Sequence, residues 1–304
     1  MSAVPKNSAA AYVALGIGVV CIACAAIFAK IAAVPGATSA FYRVLFAGVV
    51  AIPACLWNRP LLPSRNAVLL TLVGGSFLAI DLVLWQIALL TTSATNATLL
   101  ANIAPLWVAL GALILFRENL GSYFWLALVL ALAGMTFVVG GGTHQFGKFN
   151  NGDLLAVGAS LFYGLYFLVT QRVRAGMDTL TFLALSITSG VTLSFAVCVA
   201  LRAPLAGFNA RSWAALAALG LLSHFCGYLA INYALGHMPA TPVSVILLAN
   251  PVITAVLAIP LLGEPLSWQQ IIGGTLVFAG IYLVNRRRLM NGNALKAHGA
   301  RLSG

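Results

Sequence analysis

Apolar residues run through this chain in long stretches of about twenty, each cut off by a short cluster of turn-forming or charged residues. A hydrocarbon layer about 30 Å thick is crossed by about 20 helical residues at 1.5 Å of rise each, so this length predicts membrane-spanning helices. Ten are predicted, over 10–30, 37–57, 67–90, 92–115, 121–140, 153–174, 179–201, 211–235, 240–262 and 267–285. The breaks fall at Pro35-Gly36, Asn58-Arg59-Pro60, Arg117-Glu118-Asn119, Gly140-Gly141-Gly142, Met177-Asp178 and Gly263-Glu264-Pro265. The first stretch has the length of a secretory signal, but Lys6 is a thin basic lead-in and no charged mature domain follows, so it reads as a retained helix.

Composition agrees and adds a direction. Of 304 residues, 62% are hydrophobic and 7% charged, against about 25% charged in soluble domains. Lipid is the solvent for an all-α integral membrane protein. The net charge of +11 raises nucleic acid as a partner, and the positions of the charges dismiss it. With the N-terminus in the cytoplasm, the inner segments hold Lys6, Arg59, Arg65, Arg117, Arg172, Arg174, Arg286, Arg287, Arg288, Lys296 and Arg301. The outer ones hold Lys30, Lys148, Arg202 and Arg211, with Arg43 inside a span. The positive-inside rule then places both termini in the cytoplasm, as a multi-pass protein of the cell inner membrane. Residues 286–304 read as a basic cytoplasmic tail against anionic headgroups. Trp57, Trp125, Trp213 and Trp268, near span ends, fit an interfacial belt. The five cysteines all lie in apolar stretches; Cys21 and Cys24 form a CxxC with no second ligand pair, so neither metal nor cofactor is expected.

The chain repeats itself. Residues 67–139 align without a gap on 213–285 at an offset of 146, with sixteen identities. They include Ala94-Thr95 with Ala240-Thr241, Pro105 with Pro251, Glu118 with Glu264, and Gly134 with Gly280. A Pro and a Glu recurring 13 residues apart in both copies are not a by-product of apolar composition. The first half is therefore 1–142 and the second 143–285, five spans each. An odd number of crossings makes the halves antiparallel, and inverted repeats are a recurring plan of secondary transporters with a midplane site and alternating access. No Walker pattern supports nucleotide-driven transport.

The stretch from Ala94 through Pro105 and Glu118 to Gly134, with its partner from Ala240 through Pro251 and Glu264-Pro265 to Gly280, resembles the EamA-type repeats of the drug/metabolite transporter superfamily. Lys30 and Arg43 match family positions, whereas span 7 has no counterpart to Arg43. The resemblance implies a central cavity lined by spans 1, 3, 4, 6, 8 and 9, with 5 and 10 at the periphery. The aromatic-rich central spans look most like bacterial exporters of aromatic and other neutral amino acids.

Ionisable groups in lipid are costly, about 2.5 to 3.5 kcal/mol each on insertion scales, so each implies a partner or a purpose. Asp81 sits deep in span 3, one turn from Phe77 and Trp85, as a proton-coupling or amine-binding carboxylate, or as a structural partner of Arg43 or Lys30. His224, Tyr228 and Asn232 share one face of span 8, and Tyr163, Tyr166 and Thr170 one face of span 6. Each stripe suits either substrate or helix packing. Pro105 and Pro251 read as gate hinges, with Asn102 and Asn250 placed to satisfy the freed carbonyls. Glu118 and Glu264, a bilayer apart, read as caps of the following helices. The expected site is Asp81, Trp85, Tyr163, Tyr166, His224, Tyr228 and Asn232, and the expected partners are a small-molecule substrate such as an amino acid and the lipid bilayer, with the protein a monomer. A multidrug or cationic-compound exporter, proton-coupled, is the alternative. An intramembrane enzyme would need a converging nucleophile and base, which one acid and one distant histidine do not provide.

Overall fold

The computed structural model describes residues 8–58, 63–92, 94–140, 150–263 and 266–302. Lys6, Arg59, Gly141, Gly142, Lys148, Glu264 and Pro265 lie outside the described residues, as do the side chains of Thr95, Arg287, Arg288, Lys296 and Arg301. All regular structure among the described residues is helical.

Helices α1 (Ser8–Ala32), α2 (Gly36–Asn58) and α3 (Arg65–Thr91) are followed by a pair, α4 (Ala94–Ala101) and α5 (Ala104–Leu115), and by α6 (Ser122–Gly140). The second half runs α7 (Asn151–Arg174), α8 (Thr179–Ala200), α9 (Ala210–Ala218), a π-helical segment Leu219–Cys226, α10 (Gly227–Leu235), α11 (Ala240–Ile246), a 3₁₀ turn Leu247–Ala249, α12 (Asn250–Leu262) and α13 (Trp268–Leu302). Among the described residues, nine segments are long and apolar enough to cross a membrane: α1, α2, α3, α4 with α5, α6, α7, α8, α9 through α10, and α11 through α12.

Three spans expected to be continuous are interrupted. At 92–115 the helix breaks after Ala101, where Pro105 in the first turn of α5 has no N–H to offer. Asn102 Nδ2 donates to Thr98 O at 2.8 Å, a carbonyl that also accepts from Asn102 N at 3.2 Å, so this side chain does not serve the Ala101 carbonyl that Pro105 leaves without its helical donor. At 240–262 the 3₁₀ turn precedes Pro251, but here Asn250 Oδ1 accepts from Thr254 Oγ1 at 3.3 Å rather than serving a backbone group. At 211–235 eight residues wind as a π-helix around His224, a local change of pitch often found at functional sites.

The ends are locally encoded. Asn150 and Asp153 form a capping box on α7, and the buried Asp153 also accepts from Thr92 Oγ1 at 2.7 Å and Asn96 Nδ2 at 3.3 Å. One carboxylate thus ties the α3–α4 junction to α7. Ser64, Asp178 and Asn209 cap α3, α8 and α9. Arg174, expected among the inner-face anchors, is instead buried: its guanidinium donates to Asn232 O at 3.0 Å and to Met177 O, joining α7 to the end of α10.

Lipid supplies no hydrophobic drive between helices, so close approach has to come from small residues. Helix α6 meets α13 with glycine on both sides. A Cβ on Gly134 would lie 2.6 Å from Gly273 O, and one on Gly280 would lie 2.6 Å from Ala127 O. The first contact becomes the second when both residues are shifted by the repeat offset, 134 to 280 and 127 to 273. Replacing Gly280 by Leu is therefore expected to separate the pair and destabilise the fold by about 1 to 3 kcal/mol. A thermal melt of the detergent-solubilised protein measures this; an unchanged midpoint would show that the contact is dispensable.

Candidate functional site

The molecule has two unlike ends. At one, Tyr12 OH of α1 donates to Asn285 Oδ1 of α13 at 3.0 Å. This end carries a polar knot at the edge of a surface cleft of about 520 Å³: Glu118 accepts from Thr241 Oγ1 at 3.0 Å and from Gln171 Nε2 at 3.4 Å, while Gln171 Oε1 accepts from Ala240 N at 2.5 Å. Glu118 therefore does not cap α6, as its place before that helix led one to expect. It fastens the end of α5 to α7 and α11.

From the middle of the bundle toward the other end runs a cavity of about 460 Å³, inside the roughly 300–1,000 Å³ range of small-molecule sites. Its floor is set by Tyr163 of α7 and Tyr228 of α10, and its mouth lies at Lys30 of α1 and Gln270 of α13. Asp81 and Trp85, one turn apart on α3, form one wall, and Thr98, Asn102, Asn250 and Thr254 from the two broken spans form another. The resemblance placed spans 5 and 10 at the periphery, yet Val138 and Val139 of α6 and Gln270 of α13 also line the cavity, as does Arg43 of α2, a span it did not name among the lining ones.

An acidic and a basic side chain face this space without meeting. Asp81 and Arg43 influence each other electrostatically, but they form no ion pair with one another among the described residues, so the structural pairing expected of Asp81 with Arg43 is absent. Asp81 makes no hydrogen bond to a described residue. Arg43 holds its Cζ 5.9 Å above the centre of the Tyr228 ring, a cation–π distance, and its Nε is buried with no hydrogen-bond partner.

Of the expected site residues, Asp81, Trp85, Tyr163 and Tyr228 line the cavity. Tyr166, His224 and Asn232 stand one layer behind and are buried. Tyr166 OH donates to Asn232 Oδ1 at 2.9 Å, and the His224 ring lies 4.7 Å from that of Tyr228. His224 Nδ1, Ser223 Oγ and Asn232 Nδ2 have no hydrogen-bond partner among the described residues. Pro105 and Pro251 each open the helix that follows a break. Pro251 borders the cavity, and Pro105 a small void beside Tyr163. Reasoning from the sequence missed Thr254 and Gln270. Gln270 occupies the place of Phe124 in the first repeat, and a polar residue standing where the duplicate copy is apolar is the signal that marks it.

A solved crystal structure that is 22% identical superimposes with a TM-score of 0.80, covering 92% of this chain and 99% of that one, which establishes the shared fold. The sequence is similar to an uncharacterized transporter of Archaeoglobus fulgidus, 30% identical over 258 residues, 82% of this chain and 87% of that protein. It is also similar to a probable terminal-alkyne amino-acid exporter of Streptantibioticus cattleyicolor, 24% identical over 226 residues, 74% of this chain and 75% of that one. Nine segments among the described residues are long and apolar enough to cross a membrane, residues 9–140 and 150–286 each match the EamA-like transporter family, and the chain belongs to that family, a multi-pass membrane transporter.

Proposed function

We propose that this transporter exports small amphipathic metabolites, chiefly aromatic and other neutral amino acids, across the inner membrane by alternating access. One observation carries the reading: a carboxylate and a guanidinium, each with unspent bonding capacity, face a cavity walled by Trp85, Tyr163 and Tyr228. A zwitterion matches both charges at once, its ammonium toward Asp81 and its carboxylate toward Arg43, while the rings take a flat apolar side chain. The amino-acid export named for the Streptantibioticus relative is in keeping with this. The aromatic walls around Asp81 also favour a second reading, an exporter of organic cations; against it, Arg43 repels a cation from the same space.

In this reading the chain crosses the membrane ten times as two inverted repeats, α13 supplying the tenth span and both termini in the cytoplasm. The α6–α13 contacts that interchange under the repeat offset support it. The Tyr12 end then faces the cytoplasm, the cavity faces outward, and the Glu118 knot is the latch that keeps the inner side shut.

Two experiments test this. Proteoliposomes loaded with labelled phenylalanine are expected to release it faster than empty-vector liposomes, and Asp81→Asn, which removes the partner of the substrate ammonium, to slow that release about tenfold. Competition by unlabelled neutral amino acids supports the first reading; competition by cationic dyes alone would replace it with the second. For the latch, interhelical hydrogen bonds are worth about 0.6 kcal/mol each in membranes. Glu118→Ala removes two, which predicts an about sevenfold rise in the inward-open population. In a cysteine-free background carrying Ser244→Cys, labelling from the Tyr12 end should accelerate accordingly, and an unchanged rate would remove Glu118 from the gate.

A further inference from the structure

A slot of about 40 Å³ adjoins the central cavity between α1, α2 and α3, and shares Ala25, Ala26, Arg43, Leu82 and Trp85 with the cavity lining. The same slot shares Ala29, Ser39 and Gln86 with a chamber of about 560 Å³, walled by the α1–α2 junction, α3 and the end of α8. Three neighbouring spaces are thus separated by shared side chains, Trp85 between the cavity and the slot and Gln86 between the slot and the chamber. At rest the slot is wide enough for about one water molecule.

The chemistry of the slot is out of keeping with packing. Ser39 is 5% exposed, yet its hydroxyl makes no hydrogen bond to a described residue, although helical serines elsewhere in this chain, such as Ser76 and Ser194, bond to the preceding turn. The Gln86 amide likewise has no bond to a described residue, and Arg43 Nε, buried at the same place, has none. Of the three, Arg43 Nε is fully buried, and leaving a buried polar group unsatisfied costs about 1 to 3 kcal/mol, a cost that a polar ligand removes; the Ser39 hydroxyl and the Gln86 amide add open hydrogen-bonding capacity beside it. The chamber beyond offers apolar walls at Val34, Val83, Val197 and Leu201, with Arg202 at its rim and no acid among its described lining residues.

We infer that this chamber and slot form a second subsite for the transported molecule, which receives the carboxylate end of an amphipathic zwitterion as it leaves the central cavity. The inference rests on the amino-acid reading above and adds a route and a second resting place to it. Ser39, Gln86 and Arg43 receive the carboxylate in the slot, Arg202 holds it at the rim, and the apolar side chain follows against the valines.

Val197→Trp fills the chamber from α8 without reaching the central cavity, and Gln86→Leu removes the amide from the slot with little change in bulk. Full-length protein is tested for equilibrium binding of labelled phenylalanine in detergent and for its efflux from proteoliposomes. Both variants are expected to keep the phenylalanine bound in the central cavity, to lose the second equivalent that the wild type holds at the chamber, and to export about tenfold more slowly, the loss of one hydrogen bond on the route. Wild-type efflux from either folded variant overturns the second subsite, and so does loss of binding together with efflux, which would make the two spaces one. Should Val197→Trp fail to fold, Gln86→Leu decides alone. Absence of phenylalanine binding to the wild-type protein is a different result: it sinks the amino-acid reading itself.

Discussion

Hydrocarbon offers no hydrogen bonds, so every peptide group in a spanning segment has to find its partner inside the protein. An unbroken helix meets that demand without help. Each interruption creates a debt that must be met locally, and in this transporter the interruptions are not scattered. The breaks at Asn102 and at Leu247–Ala249 and the π-helical turn around His224 all border the cavity or its floor. Non-helical backbone is tolerated at membrane depth where it faces protein or a wet space, and the cavity lies where such backbone has collected.

The same constraint sorts the polar side chains. Those that hold the structure are fully committed: Asp153 receives three donors at the start of α7, Arg174 spends its donors on backbone carbonyls, and Tyr166 bonds Asn232. Those around the cavity and its side slot are not, as Asp81, Arg43, Ser39 and Gln86 each retain capacity. In water such groups would be unremarkable. In a bundle this apolar they are the strongest pointer to a ligand, because no described protein group takes the bonds they leave open.

Glycine sets the shape within which this happens. The close approach of α6 and α13 at Gly134, Gly273 and Gly280 lets two helices behave as one post. The groups that face the cavity come mostly from elements braced elsewhere in the bundle, α3 against α7 and α1 against α10 and α12. The Glu118 knot, made of side-chain hydrogen bonds to Gln171 and Thr241, can break without unfolding a helix, which suits the alternating access proposed above.

The helical, membrane-spanning character of the chain was legible in the sequence, since the length of an apolar run and the scarcity of charge depend only on what lipid tolerates. The duplication was legible too, because a Pro and a Glu repeated at fixed spacing survive in a sequence where apolar residues interchange freely. Asp81, Trp85, Tyr163 and Tyr228 could be nominated because polar and aromatic groups in a span are few. What the sequence could not decide was which face of each helix looks inward. Tyr166 and Tyr163 sit three residues apart, and His224 and Tyr228 four, yet one of each pair lines the cavity and the other lies behind it. Helical spacing places neighbours on the same side of a helix, but a rotation of a few tens of degrees, set by glycine contacts with partners far along the chain, determines which of them meets the open space. Only the tertiary structure decided that, as it decided that Arg43 and Asp81 face one another across a gap rather than closing it.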